Sequence, residues 1–173
     1  MRIFYSLLVL TLLTACSSTT TIYLVRHAEK LPQDPNAGMM SNDVGLSDSG
    51  HARAQLLRDS LSGKMINAIF ATTYKRTQQT VQPTAQSKGL VVKQYTASQP
   101  ASDALVDSLI ALKGKTFLVS GHSNTVPAMV RHLGLPCSFA GNIPESDFDN
   151  MFIITVKKGV KSLKEKTYGT STQ

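Results

Sequence analysis

The sequence predicts one α/β domain, a single three-layer α/β/α fold with a mainly parallel sheet. Two observations predict it. Short apolar runs suited to buried strands alternate with amphipathic helical segments from Ile22 to Leu133, and no internal repeat or interdomain linker interrupts the alternation. At 173 residues, with 42% hydrophobic and 17% charged residues, the chain has the length and composition of one packed domain. Those values exclude a disordered, collagenous or disulfide-stapled chain.

Ile22-Tyr23-Leu24-Val25 is the first strand and stops at Arg26-His27. A loop with Pro32, Pro35 and Gly38 follows, and Ser47 is placed to cap a helix whose Ala54, Leu57 and Leu61 recur at helical spacing. Ala68-Ile69-Phe70-Ala71 is the second strand. Residues 74–87 read as a helix that Pro83 should kink or break. Leu90-Val91-Val92 is the third strand, and Leu105, Leu109 and Leu112 give the next helix an apolar face. Thr116-Phe117-Leu118-Val119 is the fourth strand, followed at once by a helix carrying Val126, Met129, Val130 and Leu133. Residues 151–156 form a further strand, expected at the sheet edge because Lys157, Lys158, Lys161, Lys164 and Lys166 follow it. These lysines read as a solvated edge, with contact to anionic lipid as the alternative.

The N-terminus reads as an address. Met1 and Arg2 precede an apolar run over residues 3–13, which is the layout of a signal peptide. The run is too short for a hydrocarbon core of about 30 Å, which takes about 20 helical residues. Leu13-Thr14-Ala15-Cys16 resembles the lipobox of bacterial lipoproteins, which implies cleavage before Cys16 and a lipid on that cysteine. The expected division is a signal peptide over 1–15, a lipidated cysteine and polar tether over 16–21, and the folded α/β domain over 22–173. Cys137 would then be the sole thiol of the mature chain, with no internal disulfide. The expected location is extracytoplasmic, with Ser17 leaning toward the periplasmic side of the outer membrane by resemblance to enteric lipoproteins.

Eighteen Lys and Arg against eleven Asp and Glu give a formal charge of +7, while Trp is absent and aromatics are 6%. That balance suits small anionic ligands better than the stacking grooves of nucleic-acid binders. Open α/β sheets bind ligands beyond the carboxyl ends of their strands. His27 ends the first strand and His122 the fourth, and Arg26 and Arg76 stand at the same edge. Clustered cations are costly without an anion, and guanidinium forks match phosphate oxygens. The helix starting near Asn124 adds free N–H groups at that place. A zinc site of His27, His122 and Glu29 is conceivable, but Arg26 beside a divalent cation argues against it. His51 and His132 read as structural. Walker and Gly-x-Gly-x-x-Gly patterns are absent, so no nucleotide cofactor is expected, and Ser123 lacks the elbow motif of serine hydrolases.

Arg26-His27-Ala28-Glu29 after a strand, Arg76 in Lys-Arg-Thr-Gln-Gln-Thr, and Gly121-His122-Ser123-Asn124-Thr125-Val126-Pro127 together resemble the histidine phosphatase superfamily, of phosphoglycerate-mutase-like fold. Leu46-Ser47 with Gly50 fits the same pattern. The resemblance implies that His27 is the nucleophile and forms a phosphohistidine, with Arg26, Arg76 and a protonated His122 holding the phosphoryl oxygens and no metal required. Ser123 and Asn124 join them as substrate-binding residues. Many members place a glutamate between the second arginine and the second histidine, but residues 77–121 contain only Asp103 and Asp107 as carboxylates. Glu29 and Asp103 are therefore the candidates for the acid that protonates the leaving group, and its absence is the third option. The expected activity is hydrolysis of phosphomonoesters. A phosphohistidine phosphatase and a non-catalytic phosphate-binding lipoprotein are the alternatives, and mutase action outside the cytosol is disfavoured.

Overall fold

The computed structural model describes residues 18–32 and 43–172. The signal-peptide and lipidation assignments on residues 1–17, and most of the proline-containing loop, lie outside them. A six-stranded sheet has the order β3-β2-β4-β1-β5-β6. Its strands are β1 (Thr19–Arg26), β2 (Ala68–Thr72), β3 (Val92–Tyr95), β4 (Thr116–Gly121), β5 (Asn150–Lys157) and β6 (Val160–Thr167). Four helices connect them: α1 (Asp48–Ser60), α2 (Lys75–Lys88), α3 (Gln99–Ala111) and α4 (Thr125–His132). β1 to β4 pair in parallel, whereas β5 runs antiparallel to β1 and to β6.

The alternation of side chains along β1 divides the core in two. Ile22 and Leu24 pack with Val106, Leu109, Val126, Met129 and Val130 of α3 and α4. Tyr23 and Val25 pack with Leu57 of α1 and with Val81 and Ala85 of α2 on the other face. The expected three layers follow from this division. Ser47 caps α1 as expected, its hydroxyl accepting from the Gly50 N–H. Gly50 is required for a different reason: a Cβ there would lie 2.1 Å from the Glu29 carbonyl oxygen, so only glycine lets α1 approach the end of β1 so closely.

Five readings are corrected. Thr19, Thr20 and Thr21 belong to β1 and not to a tether. Thr20 is buried and donates to the Leu112 carbonyl, a strand role that suits β-branched residues. The third strand begins at Val92, because Gly89 (φ 63°) and Leu90 end α2 by bonding back to Gln86 and Ala85 in a Schellman arrangement. Pro83 does not break α2, whose buried face of Val81, Thr84 and Ala85 holds the helix through it. Leu112 is not on a buried face but lies past the end of α3, 52% exposed. Finally, β5 is interior. The lysine-rich stretch after it folds back as β6, and that strand is the edge.

The connections that leave the two central parallel strands diverge to opposite faces of the sheet. β1 leads to α1 on one face, and its neighbour β4 leads to α4 on the other, opening a crevice at their carboxyl ends.

Candidate active site

His27, directly after β1, and His122, directly after β4, line that crevice, whereas Arg26, the last residue of β1, is buried and is not among the lining residues. Arg76, in the first turn of α2, joins them from the end of β2. A pocket of about 310 Å³ is lined by His27, Lys30, Tyr74, Arg76, Ala97, His122, Ser123, Asn124 and Glu145. The rings of His27 and His122 meet edge to face with centroids 5.6 Å apart.

His27 is 4% exposed, and its Nδ1 lies 2.7 Å from the Ala28 carbonyl oxygen. A carbonyl only accepts, so Nδ1 carries the proton and Nε2 keeps its lone pair. Burial, followed by the charges of Arg26 and Arg76 and by His122, pushes the His27 pKa down to about 3. The imidazole is thus neutral and nucleophilic across the neutral range.

His122 is oriented by a hydroxyl chain. Its Nε2 lies 3.0 Å from Thr72 Oγ1, which lies 2.8 Å from Thr77 Oγ1, and Thr77 Oγ1 donates to the Tyr74 carbonyl at 2.8 Å. Each hydroxyl has one proton. Thr77 gives its own to the carbonyl, so Thr72 gives its own to Thr77, and His122 Nε2–H must donate to Thr72. Burial, then Arg76, Arg26 and Lys30, lower the His122 pKa to about 4. This corrects the protonated His122 implied by the resemblance: the free pocket holds a neutral ring, and a bound dianion favours its protonation.

Arg26 is 1% exposed and heavily engaged. It donates to the carbonyls of Pro144 and Asp147 at 2.5 and 2.9 Å, pairs with Glu145 at 3.0 Å, and stacks 4.2 Å above Phe148. Arg76 stacks on Tyr74 at 4.3 Å, while its Nε and one terminal nitrogen are buried with no partner among the described residues. Buried donors without acceptors are costly, and a tetrahedral anion satisfies them.

Neither carboxylate candidate from the sequence reaches this pocket. Glu29 turns away to α1, where Arg53 Nε and a terminal nitrogen hold it at 2.9 and 2.8 Å. Asp103 accepts from Gln99 on α3 at 2.6 Å and faces His132. Among the described residues the carboxylate that lines the pocket is Glu145, which the sequence reading missed. Its place there follows from the strand direction, which the hydrophobic pattern does not reveal. An antiparallel β5 brings its leading loop, 141–149, beside the carboxyl end of β1. Ser123 and Asn124 line the pocket as expected. No group of side chains able to hold a metal ion occurs among the described residues.

The family model of the histidine phosphatase superfamily (branch 1) matches residues 22–97, which contain Arg26, His27 and Arg76. Over this segment, and in its fold, the chain is similar to the histidine phosphatases. Several solved structures with this histidine phosphatase fold are similar to it. SixA of Agrobacterium tumefaciens, assigned as a phosphohistidine phosphatase, is 22% identical with a TM-score of 0.57, over 79% of this chain and 92% of that one. A mycobacterial glucosyl-3-phosphoglycerate phosphatase, Rv2419c, is 13% identical with a TM-score of 0.64, over 88% and 100%. The protein histidine phosphatase SixA complexed with tungstate is 16% identical with a TM-score of 0.64, over 85% and 96%. No curated protein sequence matches the chain.

Proposed function

We propose that the chain is a metal-independent phosphatase that hydrolyses phosphomonoesters through a phosphohistidine on His27. The observation that carries this reading is the His27 Nδ1–H bond to the Ala28 carbonyl, which leaves the Nε2 lone pair as the attacking group. Nε2 bonds to phosphorus as the ester P–O bond breaks, and the leaving oxygen takes a proton. Glu145, in its acid form, is the pocket group able to supply it. Water then attacks phosphorus and gives its proton to the Glu145 carboxylate, which regains its acid form; the P–N bond breaks, and inorganic phosphate and neutral His27 are restored. Arg26, Arg76, His122 and the amino end of α4 stabilise the charge on the equatorial oxygens.

A second reading is favoured by the position of the carboxylates. Glu29 and Asp103 lie elsewhere, and Glu145 is shared with Arg26. A site with one engaged acid suits a leaving group that needs little help, such as the imidazole of phosphohistidine. The likeness to proteins named SixA supports the same class.

The N-terminal pattern supports an extracytoplasmic lipoprotein anchored through Cys16, on the periplasmic side of the outer membrane. Fatty-acid labelling that disappears in Cys16→Ala tests that part. The catalytic part is tested on an aryl phosphate, with trapping of acid-labile, base-stable phosphate. Label lost in His27→Ala supports the mechanism. Phosphate binding without release across pH 4 to 8 replaces it with a binding protein.

A further inference from the structure

The end of the sheet opposite the pocket gathers five segments. They are Ser18–Thr19 at the start of β1, the loop 61–67, residues 88–91, residues 111–115 and the turn 157–160. Their continuity is direct. Thr19 pairs with Lys157, Gly114 N donates to Thr20 Oγ1 at 3.2 Å, Asn67 N donates to the Thr116 carbonyl at 2.8 Å, and Lys88 Nζ reaches the Ser62 carbonyl at 2.5 Å. With six strands spaced about 4.8 Å apart, this end is about 24 Å wide.

Lys64, Lys88, Lys113, Lys115, Lys157 and Lys158 all stand on it, and every one except Lys88 is exposed. Lys88 alone sits in the last turn of a helix, where the dipole favours a cation, so the other five need a different reason. Among the described residues, the one carboxylate in these segments or in the last helical turns leading to them is Asp59, held by Arg58 at 2.8 Å. Between the lysines stand Met65 (86% exposed), Val91 (83%), Val160 (70%) and Leu112 (52%), the four most exposed large apolar side chains described.

We propose that this lysine and apolar end of the sheet docks on an anionic lipid bilayer and holds the catalytic pocket away from it. Exposed apolar side chains ringed by lysines fit a headgroup boundary, where the chains enter and the ammonium groups meet lipid phosphates. The described chain begins at Ser18 on this same end, two residues after the Cys16 to which the lipobox reading assigns the lipid. These segments contain no aromatic residue, which disfavours a nucleic acid needing stacking platforms. The eight residues of β1 hold the pocket about 25 Å from the surface, open to substrates in solution. The inference rests on the membrane reading of the N-terminus and not on the chemistry of His27.

The sequence contains no tryptophan, so one introduced residue is a clean reporter. In the full chain, Met65→Trp should shift to the blue and be quenched by brominated lipid on vesicles containing phosphatidylglycerol. Leu31→Trp, 47% exposed near the pocket rim, should not respond. Replacing Lys113, Lys115, Lys157 and Lys158 together by Glu should weaken binding to those vesicles about tenfold or more, with aryl-phosphate turnover unchanged. If the Met65 reporter is silent while the protein still sediments with vesicles, the anchor stands and the docking is overturned. No association with any vesicle overturns both. Equal responses at both positions, equal binding to pure phosphatidylcholine, or tighter binding to a single-stranded oligonucleotide overturn the docking as well.

Discussion

Positive charge is used in opposite ways at the two ends of the sheet. At the carboxyl end Arg26 and His27 are 1% and 4% exposed, and burial together with neighbouring cations drives both histidine pKa values well below the free-imidazole value. At the other end Lys64, Lys113, Lys115, Lys157 and Lys158 are exposed to water. Buried cations interact strongly at short range and demand one compact, well-placed anion. Exposed cations are individually weak and screened within about 8 Å in physiological salt, so they gain only by adding together against an extended anionic surface. Burial, rather than the number of charges, decides which kind of partner each end takes.

The sharpest division between the ends comes from the nucleophile. His27→Ala should lower phosphate release by at least about 10⁴-fold, because removing a nucleophile removes the covalent route itself. Vesicle binding should be unaffected. Turnover retained in His27→Ala would transfer the nucleophile to another residue.

Arg76→Ala is next in size. Its buried donors have no protein partner among the described residues, so the side chain should act on the phosphoryl group and kcat should fall about 10²- to 10³-fold. Arg76→Lys should recover little, since an ammonium cannot reproduce the fork. Steady-state rates with aryl and alkyl phosphates measure this, and the same pair of substrates tests Glu145. Glu145→Gln should cost about 10²-fold on an alkyl phosphate, whose leaving group needs a proton, and little on an aryl phosphate or phosphohistidine. Equal losses on all three would make Glu145 a partner of Arg26 alone.

Much of this site was legible in the sequence. Strand ends are readable from apolar runs, so His27, His122, Arg26 and Arg76 could be placed on one edge before any coordinates. The general acid was not legible, because Glu29 is close to His27 in sequence yet points to Arg53, and a residue's neighbours along the chain do not report its side-chain direction. Glu145 arrives through the reversed direction of β5, a tertiary property that periodicity does not encode. The edge failed for a related reason. Lysines marked an edge correctly, but residues 160–167 are almost wholly exposed, so no apolar pattern announced β6.

Acid sensitivity separates the ends again. Both histidines titrate in the folded protein below the unfolded value of 6.5, His122 at about 4 and His27 at about 3. The unfolded chain therefore binds more protons throughout that window, and stability falls as the pH drops from about 6.5 toward 3. Denaturant unfolding across the window should show the slope, and His27→Gln and His122→Gln should each flatten it. Phosphate should protect by restoring the balance of charge around His122. A slope untouched by either substitution would assign the acid sensitivity to carboxylates.

The smallest expected effect is at Lys158, and it tests whether the lysine end is kept for its charge. Lys158 and Gly159 form the two-residue turn between β5 and β6, with φ of 51° and 81°. Positive φ at both positions is the geometry in which Asn-Gly is favoured, because a side chain such as lysine crowds its own backbone there. Lys158 is the only non-glycine with positive φ among the described residues. Lys158→Asn should stabilise the fold by about 0.5 to 1 kcal/mol in denaturant unfolding, leave phosphate hydrolysis unchanged and weaken binding to phosphatidylglycerol vesicles. No gain in stability would remove the strain argument. A gain without weaker vesicle binding would show that the turn keeps its lysine for something other than an anionic surface.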